Sequence, residues 1–138
     1  ERLVGVHLTG PVAELVSTVL TSQAAAQAAW DLMKVAGLTP VACRDRAGFV
    51  VDALLFAYLN DAVRMHGSGY ASIADIDAAM RLGCGYAAGP FETLETLGLA
   101  RVRDGLRALY AEYRDPAFAP APLLDQLVTA GLTTFPRP

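Results

Sequence analysis

The chain has 138 residues, 54% of them hydrophobic and 18% charged, with a net charge of −3. A chain this apolar can bury enough surface to offset its ordering entropy, which excludes disorder, and its length fits one domain or a small domain carrying a piece of another. Ten of the eleven basic residues are arginines scattered along the chain, so nucleic-acid binding is not expected.

Residues 2–8 read as a short strand, broken by Thr9-Gly10-Pro11. They do not read as a secretory leader. Residues 14–20 read as a second strand. Ser22 or Thr21 caps a helix through about residue 36, which Gly37 ends. Residues 39–43 read as a third strand. This β-β-α-β layer is thin and looks like the end of a larger sheet.

From Asp45 onward the apolar period becomes helical. Residues 49–66 hold thirteen apolar positions out of eighteen, so a helix there is buried on most sides. Asp52, Asp61 and Arg64 within it exclude a membrane span, which needs about 20 mostly uncharged residues. Ser72-Ile-Ala-Asp75 is a capping box with Asp in place of Glu or Gln. The helix over 73–82 is expected to point Ile73, Ile76, Ala79, Met80 and Leu82 inward. A glycine-rich connection covers 83–90, and Pro90 suits the first turn of a helix to about residue 97. A helix over 99–114 carries Val102, Leu106, Leu109, Tyr110 and Tyr113 on one stripe, read as core. Residues 122–130 form a last helix, and 133–138 are a tail. The expected fold is mainly α: about five helices over 46–138, preceded by the β-β-α-β segment of 1–45. No strand is expected within 49–114.

Few residues can carry chemistry. His7, at a strand end, would act as a general base only with a carboxylate to hold its tautomer. Glu14 lies across the turn from it, and the plainer reading is a half-buried strand-end histidine. Asp52 suits a helix N-terminus or points into a cleft. The loop over 83–90 lacks the G-x-G-x-x-G pattern after a strand, so it reads as a close helix approach rather than a phosphate cradle. Cys84 reads as a small apolar filler and His66 as a solvated histidine at a helix end. Cys43, Cys84 and two histidines give no metal-ligand spacing.

Three segments carry a family resemblance. Arg46-Ala-Gly-Phe-Val-Val-Asp-Ala-Leu-Leu55 is similar to the D-R-x-G-F-[IV]-V-N-R-L-L motif of 3-hydroxyacyl-CoA dehydrogenases. Ile76-Asp-Ala-Ala-Met-Arg-Leu-Gly83 resembles their D-I-D-x-A-M-x-x-G segment, and Gly89-Pro-Phe-Glu-Thr-Leu-Glu-Thr-Leu-Gly-Leu99 their G-P-F-E-L-L-D-x-x-G-L-D segment. Upstream, residues 2–11 resemble the family's R-x-x-G-x-H-F-F-N-P strand and turn. The resemblance covers about residues 2–132, and bacterial 3-hydroxybutyryl-CoA dehydrogenases are the nearest branch.

The resemblance implies that residues 1–45 are the end of a Rossmann-type NAD-binding domain. Residues 46–138 would be the helical domain, which closes over acyl-CoA and forms most of a homodimer interface. The implied reaction is NAD-linked oxidation of a 3-hydroxyacyl-CoA, of short chain, in fatty acid metabolism. His7 matches the catalytic histidine. Asp52 stands where the family has a substrate asparagine, and Gly89, Pro90 and Phe91 match the substrate-side G-P-F. The asparagine of N-P is Gly10 here, and the histidine's partner glutamate falls on Ser17 if two residues are missing between the strands. Glu14, three residues from Ser17, then points to the other face of the strand, and no carboxylate is expected within reach of His7. That leaves a degenerate site. The NAD loop and the substrate serine are not among these residues, and the chain alone is expected to bind no NAD.

Two further functions stay open beside the enzyme part: a non-catalytic dimerisation or acyl-CoA-binding module, and a helical domain that docks on a separate nucleotide-binding subunit. The acidic, cysteine-poor composition reads as cytoplasmic. The apolar surplus points to a homodimer that offers Val50, Leu54 or Tyr58 of the first long helix.

Overall fold

The computed structural model describes residues 3–136, which pack as two units divided between Asp52 and Ala53. In the first unit a two-residue turn sets everything else. Gly10 takes a φ of +55° at the first central position of a hairpin turn, a conformation that glycine adopts without strain. Strands β1 (Gly5–Thr9) and β2 (Val12–Ser17) therefore pair antiparallel, with Thr9 opposite Val12 and His7 opposite Glu14.

Helix α1 (Gln23–Val35) follows, with the Ser22 hydroxyl accepting from the Ala25 N–H at its start. It carries the chain across to β3 (Thr39–Arg44), which lies parallel to β2. The sheet order is β1-β2-β3, so β2 is central, and Ala13 to Val16 are all buried. No residue of α1 is buried, and Leu32 and Val35 stand in solvent.

The second strand starts two residues earlier than the pattern suggests and stops at Ser17 rather than residue 20. The tight turn leaves no room for a longer loop. Beyond Ser17 the Thr18 N–H bonds the Thr21 hydroxyl instead of a neighbouring strand. Arg2, included in the expected first strand, lies outside the described residues.

Five α-helices follow, as expected: α2 (Val51–Gly67), α3 (Ile73–Cys84), α4 (Pro90–Leu97), α5 (Leu99–Tyr113) and α6 (Pro122–Thr129), with one 3-10 turn at Pro116–Phe118. Among the described residues no strand lies within 49–114. Helix α2 begins at Val51 rather than residue 49, because Gly48 and Phe49 both have positive φ, +72° and +47°. Phe56, Leu59, Val63, Leu94, Val102, Leu106 and Leu109 form the core of the second unit. Gly105 admits the Phe56 ring, since a Cβ there would lie 2.3 Å from Phe56 Cε2.

Four packing expectations need correction. Leu82 is 83% exposed and Ala79 is exposed, because α3 turns its inward face along Ile76 and Asp77. Tyr110 and Tyr113 are more than a third exposed, leaving Val102, Leu106 and Leu109 as the buried stripe of α5. Cys84 is exposed rather than a filler. In the expected tail, Phe135 is buried edge-on against Phe91, 4.8 Å between centroids, and its N–H donates to Glu95 Oε1. Asn60 carries no motif signal, yet it is fully buried and ties down the loop before α6. Its Nδ2 donates to the Ala117 and Ala119 carbonyls, and its Oδ1 accepts from the Ala121 N–H.

Candidate active site

His7 and Glu14 are direct cross-strand partners, so their side chains share one face of the sheet. The His7 Nδ1–H donates to Glu14 Oε2 at 2.7 Å. The Glu14 side chain is fully buried, whereas that of His7 keeps 25% of its surface in solvent. The other carboxylate oxygen, Oε1, accepts from the Val50 and Val51 N–H groups at 2.8 and 2.9 Å. Those amides open α2, where helix N–H groups lack intrahelical acceptors and the dipole favours negative charge.

Here the expected absence of a carboxylate near His7 is overturned. Glu14 and Ser17 do face opposite sides of β2, but the hairpin turn is shorter than the one that would bring Ser17 toward His7. Counting outward from a two-residue Gly10-Pro11 turn pairs Thr9 with Val12 and brings Glu14 onto His7, and that count needs only the sequence.

Burial by itself raises the Glu14 pKa. The hydrogen bond from His7, those from the Val51 and Val50 amides and the charge of His7 outweigh it, and the carboxyl lies below its ordinary value. An ionised carboxylate only accepts hydrogen bonds, so His7 Nδ1 carries the proton of this bond. A histidine hydrogen-bonded through Nδ1 to a buried carboxylate is the geometry of the histidine and aspartate in a serine-protease triad.

The turn into α2 completes the surroundings. Phe49 N–H donates to the Arg46 carbonyl, and Gly48 sits at the third position with positive φ, as in a type II turn. Phe49 then adopts a left-handed conformation, which costs a non-glycine residue about 1–2 kcal/mol. Its ring packs on the His7 ring, 5.4 Å between centroids and tilted by 43°. Burial, with the charges of Glu14 and Asp45, pushes the Cys43 thiol up, so it is a poor nucleophile.

Asp52 follows Val51 directly in the first turn of α2 and is partly exposed. Its backbone is therefore one residue from the amide that binds Glu14. Gly89, Pro90 and Phe91 are buried in the second unit, where their contacts are those of packing. A Cβ on Gly89 would meet the Asp77 carboxyl at 2.3 Å, and the Phe91 N–H donates to Asp77 Oδ1 at 2.8 Å. Phe91 also meets the His66 ring edge-on, 5.6 Å away, and His66 Nδ1–H donates to the Ala71 carbonyl, so His66 is half-buried rather than a solvated helix end. The second unit has a cavity of about 560 Å³, bordered by His66, Ser72, Asp77, Arg81 and Glu92.

Among the described residues no group of three or more His, Cys, Asp or Glu side chains could hold a metal. The link from β2 to α1, residues 18–22, contains no glycine, so this strand-to-helix loop lacks the G-x-G-x-x-G turn of a dinucleotide pyrophosphate site. No described helix is long and apolar enough to cross a membrane.

The sequence model of the 3-hydroxyacyl-CoA dehydrogenase C-terminal domain matches residues 48–134. Mouse mitochondrial hydroxyacyl-coenzyme A dehydrogenase is 41% identical over 93% of this chain and 43% of its own length. A 3-hydroxybutyryl-CoA dehydrogenase of Mycobacterium tuberculosis is 36% identical over 95% of this chain and 48% of its own. The crystal structure of (S)-3-hydroxybutyryl-CoA dehydrogenase from Ralstonia eutropha superposes with a TM-score of 0.90 at 33% identity, covering 93% of this chain and 47% of that one. The chain thus spans less than half the length of these relatives.

Proposed function

The chain belongs to the 3-hydroxyacyl-CoA dehydrogenase family, and on that premise we propose that it supplies the base and the helical part of a dehydrogenase acting on short 3-hydroxyacyl-CoA thioesters. The His7–Glu14 pair carries this reading. His7 Nε2 takes the proton of the C3 hydroxyl. The imidazolium formed is held by the Glu14 carboxylate, which the α2 amides keep in place and ionised. Asp52, next in sequence to Val51 whose amide binds Glu14, is our candidate for a substrate contact. In this reading Gly89, Pro90 and Phe91 serve the substrate side by holding α4 in place. NAD is the family's hydride acceptor, and in this reading it is held by a nucleotide-binding part that residues 1–45 adjoin.

Exposed apolar side chains support a homodimer through the helical part. Leu54 of α2 is 71% exposed, and Leu82 and Tyr86 also stand in solvent. Val50 is 39% exposed, while the Tyr58 hydroxyl is buried without a hydrogen-bond partner. The composition supports a cytoplasmic setting, whereas the mouse relative is named as mitochondrial.

The test joins the chain to the nucleotide-binding part of a relative and follows NADH formation from 3-hydroxybutyryl-CoA. Turnover that His7→Gln abolishes is expected. A fusion that binds NADH but turns over nothing, or a His7→Gln variant that keeps its rate, contradicts the proposal and leaves the non-catalytic module.

A further inference from the structure

The dyad is held from one side by a turn that no cap or hydrophobic period explains. Gly48 and Phe49 are consecutive left-handed residues, and Phe49 is one of only two non-glycine residues with positive φ among those described. Such strain persists where the surroundings over-determine it and clusters at working sites. Two consequences of this turn meet at the dyad. Its backbone delivers the Val50 and Val51 N–H groups to Glu14 Oε1, and its side chain lays the Phe49 ring on His7.

We propose that Phe49 is a positioning residue for His7: its ring, fixed by the left-handed turn, holds the imidazole in the plane that keeps Nδ1–H on Glu14 and Nε2 directed outward. This rests on the reading of His7 as a base, but it concerns the ring's position, which is measurable without substrate. The chemistry requires such a hold. A single 2.7 Å hydrogen bond fixes one atom of the ring and leaves rotation about it, and a base must present its lone pair within a narrow angle. The adjacent β1 side chains cannot supply it, because Val6 and Leu8 point to the opposite, exposed face.

A purely structural role for Phe49 makes a different prediction. Glycine adopts φ near +47° freely, so Phe49→Gly relieves the turn while deleting the ring. If Phe49 only fills space or bears strain, the dyad survives this change. If it positions His7, the dyad loosens although the backbone is relieved.

Proton NMR of the 138-residue chain distinguishes the two. The His7 Nδ1 proton, buried against Glu14, is expected as a resolved downfield signal in the native chain. In Phe49→Gly its exchange with solvent should be about tenfold faster or the signal lost, as for a locally opened hydrogen bond. The Val51 amide should stay protected, and Phe49→Tyr should restore the native behaviour. An unchanged His7 signal in Phe49→Gly overturns the proposal. Should Phe49→Gly fail to fold, Phe49→Leu decides: a broadened His7 signal beside a protected Val51 amide supports the proposal, and an unchanged one overturns it. Failure of the catalytic reading shows elsewhere, in a His7→Gln fusion that keeps its rate.

Discussion

Two buried carboxylates, one in each unit, do the same local job and have their pKa values shifted in opposite directions. Glu14 in β2 receives the first amides of α2, and Asp77 in α3 receives the Phe91 amide at the start of α4. Burial raises both pKa values. For Glu14 the His7 hydrogen bond, the two amides and the His7 charge turn the balance, and the carboxyl ends below its ordinary value. For Asp77 the amide bonds are opposed by the charge of Glu92, the pull of Arg81 is smaller, and the carboxyl ends above its ordinary value. A hydrogen-bonded basic partner thus favours the charged form of a buried capping carboxylate, whereas a neighbouring acidic side chain opposes it.

The largest expected effect tests that contrast at the reaction. In the fused enzyme Glu14→Gln should lower turnover by about 10⁴-fold, as when the acid behind a catalytic histidine is neutralised. The amide still accepts from Val50 and Val51 but presents N–H to His7 and imposes the wrong tautomer. Asp77→Asn in the same fusion should leave the rate within about threefold, because Asn Oδ1 can keep the Phe91 bond.

The next effect is on stability. Gly89→Ala should cost about 3 kcal/mol in a thermal melt, since the new methyl overlaps the Asp77 carboxyl and neither α3 nor α4 can yield cheaply. A near-native melting temperature would mean that this contact is slack.

A smaller effect separates the two carboxylates by sign. Glu14 has a folded pKa below its unfolded one, so its contribution is present above the unfolded value and is lost as pH falls through the folded value. Asp77 has a folded pKa above its unfolded one, so its contribution is full below the unfolded value and is lost as pH rises through the folded value. Once the intrinsic pH dependence of exchange is divided out, falling pH should raise protection of the Phe91 amide as Asp77 protonates, and lower protection of the Val51 amide as pH falls through the folded value of Glu14. Parallel behaviour of the two amides would remove the distinction.

Much of this was legible in the chain. Gly10-Pro11, Ser22, Ser72 and Pro90 mark element ends by turn and cap chemistry, and the helices of the second unit follow their apolar period to within a few residues. Legibility failed where a distance between strands had to be inferred. The pattern names His7 but assigns its partner to Ser17, because an assumed loop length overrode the two-residue turn that the sequence itself offers. It also missed the ring of Phe49, since neither period nor propensity anticipates a left-handed phenylalanine. Asn60 escaped because its partners are backbone groups of a loop 57 or more residues away.

Side-chain carbon NMR titration of the two carboxyls reads their opposite shifts without substrate. Glu14 should titrate below the ordinary glutamate value and Asp77 above the ordinary aspartate value, with the Glu14 midpoint moving up in His7→Gln and the Asp77 midpoint unmoved. A Glu14 that titrates above its ordinary value, or that ignores the loss of His7, would contradict the account.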